Sequence, residues 1–185
     1  MAGIFLLPAI LLSCKSSGPV REDRLIAFDL KELPSQGTLN LSDLGAVDIE
    51  YIPLETTEQS VISRINKILV GKDYFLTVNF ANIFMFRHDG TFVTKIGKAG
   101  RGPDEFTVAH DVDIDKNDGS IYLADGFQQK FFVFSPEGNL VRTFRTPLSS
   151  AMNFRLTSEG ILCYYPNHMG AIENSYILVD TMGTI

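Results

Sequence analysis

Apolar residues in this chain fall in short runs bounded by Gly, Pro, Asn and Asp, and no long stretch shows them at helical spacing. Short runs punctuated by turn-forming residues predict strands. In Ile83-Phe-Met-Phe86 and Phe131-Phe-Val-Phe134 the apolar side chains occupy successive positions. Successive side chains leave a strand on opposite faces, so both faces of these two strands are expected inside a core. Each run leads to a turn ending in glycine, Asp89-Gly90 or Glu137-Gly138, and then to another strand-like run, the pattern of a hairpin.

The pattern repeats. Asn82 to Ile96 is echoed by Lys130 to Phe144, and Ser175 to Gly183 is a third, weaker copy. The turn glycines therefore fall at 90, 138 and 183, with spacings of 48 and 45. A period of about 40 to 50 residues is that of one propeller blade. Two further strands precede each copy, Ile68 to Val70 with Tyr74 to Val78, and His110 to Asp115 with Ser120 to Ala124. Each unit then has four strands, the blade count of a propeller. Gly97 to Phe106, with three glycines and a proline, suits an irregular crossing from the outer strand of one blade to the inner strand of the next. The expected fold class is all-β, a β-propeller of four-stranded antiparallel blades.

The N-terminus reads differently. Ile4 to Leu12 is a nine-residue apolar run, about half of the roughly 20 residues a membrane-spanning helix needs, so it reads as a secretion signal. It ends in Leu11-Leu12-Ser13-Cys14, which resembles the lipobox of bacterial lipoproteins, whose cysteine is acylated. No Lys or Arg precedes the run, a departure that a start upstream of Met1 would account for. The expected organisation is a signal peptide over 1–13, lipidated Cys14 and a tether over 14–24, and the propeller domain over 25–185. With Cys14 acylated, Cys163 is the one remaining thiol, and its setting, Ile161-Leu-Cys-Tyr-Tyr165, is that of a buried core cysteine. The 16 Lys and Arg against 22 Asp and Glu, with no basic run, argue against a nucleic-acid partner.

Three stretches resemble the NHL-like repeat proteins, and more closely the six-bladed β-propeller lipoproteins of two-membrane bacteria. They are Leu41-Ser-Asp-Leu44 with Ile49 to Thr56, the loop Ile96-Gly-Lys-Ala-Gly-Arg-Gly-Pro-Asp-Glu-Phe106, and Ile121-Tyr-Leu-Ala-Asp125. The loop is the most specific, since the family form is Gly-x-x-Gly-x-Gly-Pro-x-Glu-aromatic. The resemblance implies a ring of six blades, closed by an early strand that pairs into the last blade, and it implies no particular activity. Six blades of about 45 residues need about 270, so the 161 residues from Leu25 onward are expected to supply about two and a half of them. The early strand, around Val47 to Pro53, is then expected to lack a partner.

Candidate chemistry is sparse. Gly97-Lys-Ala-Gly-Arg-Gly102 lacks the Lys-Ser/Thr of a phosphate loop and opens no helix. Asp113-x-Asp115-x-Asn117 starts like a calcium loop, but the glycine falls at 119 and Ala124 stands where the bidentate Glu belongs, so a hairpin turn explains it better. Aligning the units sets Ser63 or Arg64, and Ser150, where the second unit has His110. His88 and His168 fall in a turn and a loop, so no zinc set assembles, and no catalytic residue, metal ligand or cofactor is predicted. The tentative ligand contacts are Lys98, Arg101, Asp104 and Glu105 on the crossing loop, and His110 at the channel mouth. The leading expectation is a lipid-anchored module of the cell envelope, on the outer membrane, binding a glycan, peptide or protein on one propeller face. The alternative is an NHL-like lyase or lactonase with a metal in the central channel.

Overall fold

A computed structural model of the chain describes residues 37–145, 153–166, 170, 174–182 and 184. It divides into two units, 1–49 and 50–185. In the first, Leu41–Leu44 is a single 3-10 turn, with Asp43 Oδ2 accepting the Asn40 N–H at 2.9 Å and Gly45 (φ +88°) ending it. The second unit carries all eleven strands described: β1 (Lys67–Val70), β2 (Phe75–Val78), β3 (Ile83–Phe86), β4 (Phe92–Lys95), β5 (Asp111–Ile114), β6 (Ile121–Asp125), β7 (Lys130–Phe134), β8 (Leu140–Arg145), β9 (Asn153–Thr157), β10 (Gly160–Tyr164) and β11 (Tyr176–Val179).

The strands form three antiparallel sheets in chain order, β1-β2-β3-β4, β5-β6-β7-β8 and β9-β10-β11. This is the all-β, blade-by-blade organisation that the repeat predicts, and the strands expected in the first two units are found within a residue or so of their places. Even an irregularity recurs: the ladder slips at Met85/Phe86 in the first sheet and at Val133/Phe134 in the second, one repeat apart. Gly90 and Gly138 both hold φ +88° at the hairpin turns, a conformation that costs an L side chain steric strain. The expected strand at Val47 to Pro53 does not form, and Val47 and Tyr51 lie almost wholly in solvent.

The continuous apolar runs pack as the alternation requires. Phe132 and Phe134 of β7 face the first sheet, joining Leu76, Ile83, Met85, Val112 and Leu123. Phe131 and Val133 face the third sheet, against Phe154, Ile161 and Cys163. Phe84 and Phe86 of β3 pack with Phe75 on the first sheet's other face, under Leu54 and Ile62. Burying a phenylalanine of this kind stabilises by roughly 1.5–3 kcal/mol relative to leaving it exposed, so these strands anchor the unit.

Candidate functional site at the crossing loop

Up-and-down sheets place their connections at two ends. The β1–β2, β3–β4, β5–β6 and β7–β8 turns lie at one end, and the β2–β3 and β6–β7 turns lie at the other, with the β4-to-β5 crossing. The crossing is built around its own Glu105. One carboxylate oxygen accepts a hydrogen bond from the Lys98 ammonium at 2.6 Å and the other accepts the Gly102 N–H at 2.9 Å. A Cβ on Gly100 would stand 1.9 Å from Glu105 Oε2, so only glycine leaves room for this carboxylate. The next residue, Phe106, is fully buried in the core between the first two sheets. The Gly-x-x-Gly-x-Gly-Pro-x-Glu-aromatic pattern thus describes a folded turn: glycines that admit a carboxylate, and an aromatic that pins it to the core.

Asp125, at the end of β6, holds this loop to its neighbour. It is 1% exposed. Its Oδ2 accepts the N–H groups of Thr107 (2.5 Å) and Val108 (3.4 Å) from the crossing, and its Oδ1 accepts those of Phe127 (3.0 Å) and Gln128 (3.2 Å) from the β6–β7 turn. Gln128 Nε2 donates back to Glu105 O and Thr107 Oγ1, and Lys130 Nζ donates to Pro103 O. The turn closes through Gln129, a non-glycine residue at φ +55°. Such a backbone is strained and persists only where surrounding bonds over-determine it. The result is a rigid platform carrying an exposed ring: Phe127 is 72% exposed. His110 stands beside it with ring centroids 5.0 Å apart, and His110 Nδ1 accepts the Gly126 N–H at 3.1 Å. The neutral imidazole therefore carries its proton on Nε2. Through the preceding residue this spot joins the first sheet, because Ala109 N donates to the carbonyl of Phe80, a second exposed aromatic.

A family model described as a domain of unknown function, DUF4934, matches residues 25–185. The chain belongs to the DUF4934 family. Among solved structures it is similar to a "putative exported protein" of Bacteroides fragilis, at TM-score 0.63 and 20% identity over 72% of this chain. The match spans 39% of that protein's length. A second similarity is to the WD40 domain of Pan2 from Neurospora crassa, at TM-score 0.40 and 16% identity, covering 54% of this chain and 29% of that one, too weak to carry an argument. No curated protein matches.

The geometry redistributes the residues expected to meet a ligand on this DUF4934 chain. Lys98 and Glu105 pair with each other, and the bond holds the Glu105 carboxyl below its ordinary value and the Lys98 ammonium above its own. Arg101 and Asp104 lie exposed on the turn between them. His110 does lie at the crossing end, but the strand registers pair Lys67 with Val78 and Asp111 with Ala124, which sets Asn66, and not Ser63 or Arg64, at its counterpart position. Cys14, Ser150 and His168 lie outside the described residues. His88 Nε2 lies 3.0 Å from the Lys72 carbonyl in the β3–β4 turn region. Asp113, Asp115 and Asn117 do not converge on a cation: Asp113 Oδ2 accepts the Leu156 N–H, and Asp115 Oδ1 accepts the Asn117 N–H of its own turn. Cys163 is buried, and desolvation pushes its thiol up to about 11, the behaviour of a packed and unreactive cysteine.

Two carboxylates escaped the sequence reading. Asp111, 4% exposed, ties the inner strands of all three sheets together: it pairs with Lys67 at 2.7 Å and Arg155 at 3.3 Å, and accepts the Phe154 N–H at 3.0 Å. Asp125 was visible only as the end of a strand motif. A signal existed, because Asn79 occupies the same place after β2 and its Oδ1 likewise accepts the N–H groups of residues two and three further on. In the first two units an Asn or Asp follows the second strand, with an aromatic one or two residues beyond, and marks this end of those sheets.

Proposed function

We propose that the chain is part of an exported β-propeller that acts as a recognition module, anchored to the cell envelope by a lipid on Cys14 and binding its ligand at the crossing-loop end. The observation that carries this reading is Phe127. A large aromatic ring left 72% in water, on a turn held by a buried carboxylate and a strained backbone, contributes little to folding. It is well suited to recognition, since rigid loops on a scaffold concentrate binding and pre-ordering lowers the entropy lost on association. His110 and Phe80 extend the same surface. Export draws support from the apolar run before Cys14 and from the name of the similar Bacteroides fragilis structure, a "putative exported protein". The three sheets read as consecutive blades of a six-bladed ring of the NHL-like lipoprotein kind.

A photo-reactive phenylalanine analogue at position 127, introduced in intact cells, tests the site. One discrete adduct is expected, absent when the analogue replaces Val141 on the outer strand β8. The same adducts from both positions, or none from 127, would refute the assignment. Mass spectrometry of the mature N-terminus, with Cys14→Ser as control, tests the anchor, and an unmodified Cys14 behind an intact Met1 would overturn it.

A further inference from the structure

We propose that the ligand of this site is an acidic polysaccharide, with the face of a uronic acid ring against Phe127 and carboxylates of the same chain held by Lys130 and Arg145. This rests on the recognition reading above and names the chemistry of its ligand.

The sheet order sets the line along which such a chain lies. Across the end of the second sheet come His110 before β5, Phe127 in the β6–β7 turn, Lys130 opening β7 and Arg145 closing β8. The crossing runs alongside, with Thr107 N bonded to Asp125, Glu105 O to Gln128 Nε2 and Pro103 O to Lys130 Nζ. Lys130 and Arg145 are direct partners in the β7–β8 register. Like charges placed directly opposite destabilise a sheet, and among the described residues neither cation has a carboxylate within ion-pair distance. The Pro103 carbonyl fixes the Lys130 ammonium in place without cancelling its charge. An anion bound between the two cations removes the repulsion.

The rest of this end has the same sign. Arg64, Lys95 and Arg101 are exposed and equally without a carboxylate partner, and the single carboxylate of Asp111 is shared by Lys67 and Arg155. Lys98 and Glu105 neutralise each other. Among the described residues the carboxylates left to oppose this are Asp104, exposed on the crossing, and Asp125, buried beneath four N–H donors. The chain as a whole carries −6 at pH 7, so the positive sign belongs to this end and not to the protein at large. Phe127 then decides the kind of anion. Its ring is 72% exposed and lies three residues before Lys130 in the chain. A uronic acid combines, on one rigid unit, a carboxylate and an apolar C–H face that suits the negative face of an aromatic ring. An aspartate or glutamate side chain offers the carboxylate alone. Arg145 can hold a carboxylate with two parallel N–H bonds, and a polymer presents further carboxylates to Lys130 and to Arg101 on the adjoining crossing.

The test is affinity electrophoresis of the full chain, in mild non-ionic detergent, through native gels containing alginate or polygalacturonate, with neutral dextran and polyglutamate as comparisons. Retardation by at least one polyuronate, weaker retardation by polyglutamate and none by dextran are expected. Arg145→Gln, which alters an exposed side chain, should weaken binding about fivefold, the equivalent of about 1 kcal/mol. Phe127→Ala should weaken it by a similar factor. Lys72→Gln combined with Lys116→Gln, which removes two cations from the hairpin end, should leave it unchanged. Retardation by dextran equal to that by the polyuronates, or undiminished retardation of Arg145→Gln and Phe127→Ala, would overturn the proposal. So would loss of retardation in the Lys72→Gln, Lys116→Gln variant, because net charge alone would then govern binding. Retardation by polyglutamate as strong as that by the polyuronates would overturn it in favour of an acidic protein segment. Absence of retardation by both polyuronates, alongside a discrete protein adduct at position 127 in cells, would overturn it too and leave recognition at this site standing. Absence of both would bring down the two together.

Discussion

The two ends of the sheets are held by different kinds of bond. At the hairpin end the aspartates bond within their own turns, Asp89 Oδ1 accepting the Thr91 N–H, Asp115 the Asn117 N–H, Asp118 the Ser120 N–H and Asp180 the Met182 N–H, while the longer reaches there, Tyr74 to Gly119 O and Arg142 to Thr181 O, end on backbone carbonyls. At the crossing end the bonds reach across the chain, from Asp125 back to Thr107 and from Gln128 to Glu105, and in the inner strands from Asp111 to Lys67 and Arg155. Local bonds shape one turn and leave the rest indifferent. Long-range bonds to a buried carboxylate make several segments depend on one residue. A surface that must be held in one geometry to bind is better built the second way, and Phe127 and Phe80 stand at that end.

The sharpest way to break the contrast is Asp125→Ala. Four backbone donors lose their acceptor in a closed setting, and leaving buried donors unpaired costs about 1–3 kcal/mol each before water or rearrangement offsets part of it. A loss of about 3 to 5 kcal/mol is expected in denaturant unfolding of the protein, the four costs together less that offset. Asp125→Asn, which keeps one acceptor oxygen, should cost less. A loss under about 1 kcal/mol for the alanine variant would mean that the crossing and the β6–β7 turn hold their shape without it.

The same distinction explains what the sequence disclosed. Hairpins, strand runs and doubly buried faces were legible because their causes lie within a few residues: a glycine at the turn, successive phenylalanines along a strand. The Glu105 signature was legible as a pattern but not as a purpose, since the room that Gly100 leaves for the carboxylate appears only once the turn is folded. Asp111 and Asp125 were not singled out, because their partners are more than forty and about eighteen residues away. Buried carboxylates look like surface charges until their donors are placed. Phe127 and Phe80 were hidden by the abundance of phenylalanine: with 14 in the chain, the exposed ones resemble those in the core.

A second and smaller effect concerns pH at the crossing. The hydrogen bond from Lys98, followed by that from the Gly102 N–H, holds the Glu105 carboxyl below its ordinary 4.5. A carboxyl whose pKa falls on folding adds stability that is fully present above its ordinary value and disappears as pH falls through the lower, folded one. Lys98, raised above 10.5 chiefly by the same hydrogen bond, contributes below that value and loses its contribution as pH climbs through the raised one. The turn should therefore be fully ordered from above pH 4.5 up to the lysine range. The Gly102 amide shift in NMR should titrate with a midpoint under 4.5, and Glu105→Gln should abolish that transition. A midpoint at or above 4.5 would show that the pair does not form in solution.

The smallest effect belongs to the hairpin end, and its smallness is the point. Asp118 Oδ1 accepts only the Ser120 N–H, at 2.8 Å, in an exposed turn whose backbone is also fixed by Gly119 N donating to Asp115 O. Asp118→Ala should thus change stability by no more than about 0.5 kcal/mol, as for a surface site with a single local bond. The substitution should still leave a trace on Tyr74. That phenol is raised above 10.0 first by burial and then by the negative charges of Asp118 and Glu137, while its hydroxyl donates to Gly119 O at 2.9 Å. Removing one of the two charges should bring its titration, followed by ultraviolet absorbance, part of the way back toward 10.0, with burial keeping it from returning fully. A stability loss comparable to that of Asp125→Ala would erase the difference between the two ends, because one hydrogen bond in an exposed turn would then be worth as much as a buried carboxylate with four donors.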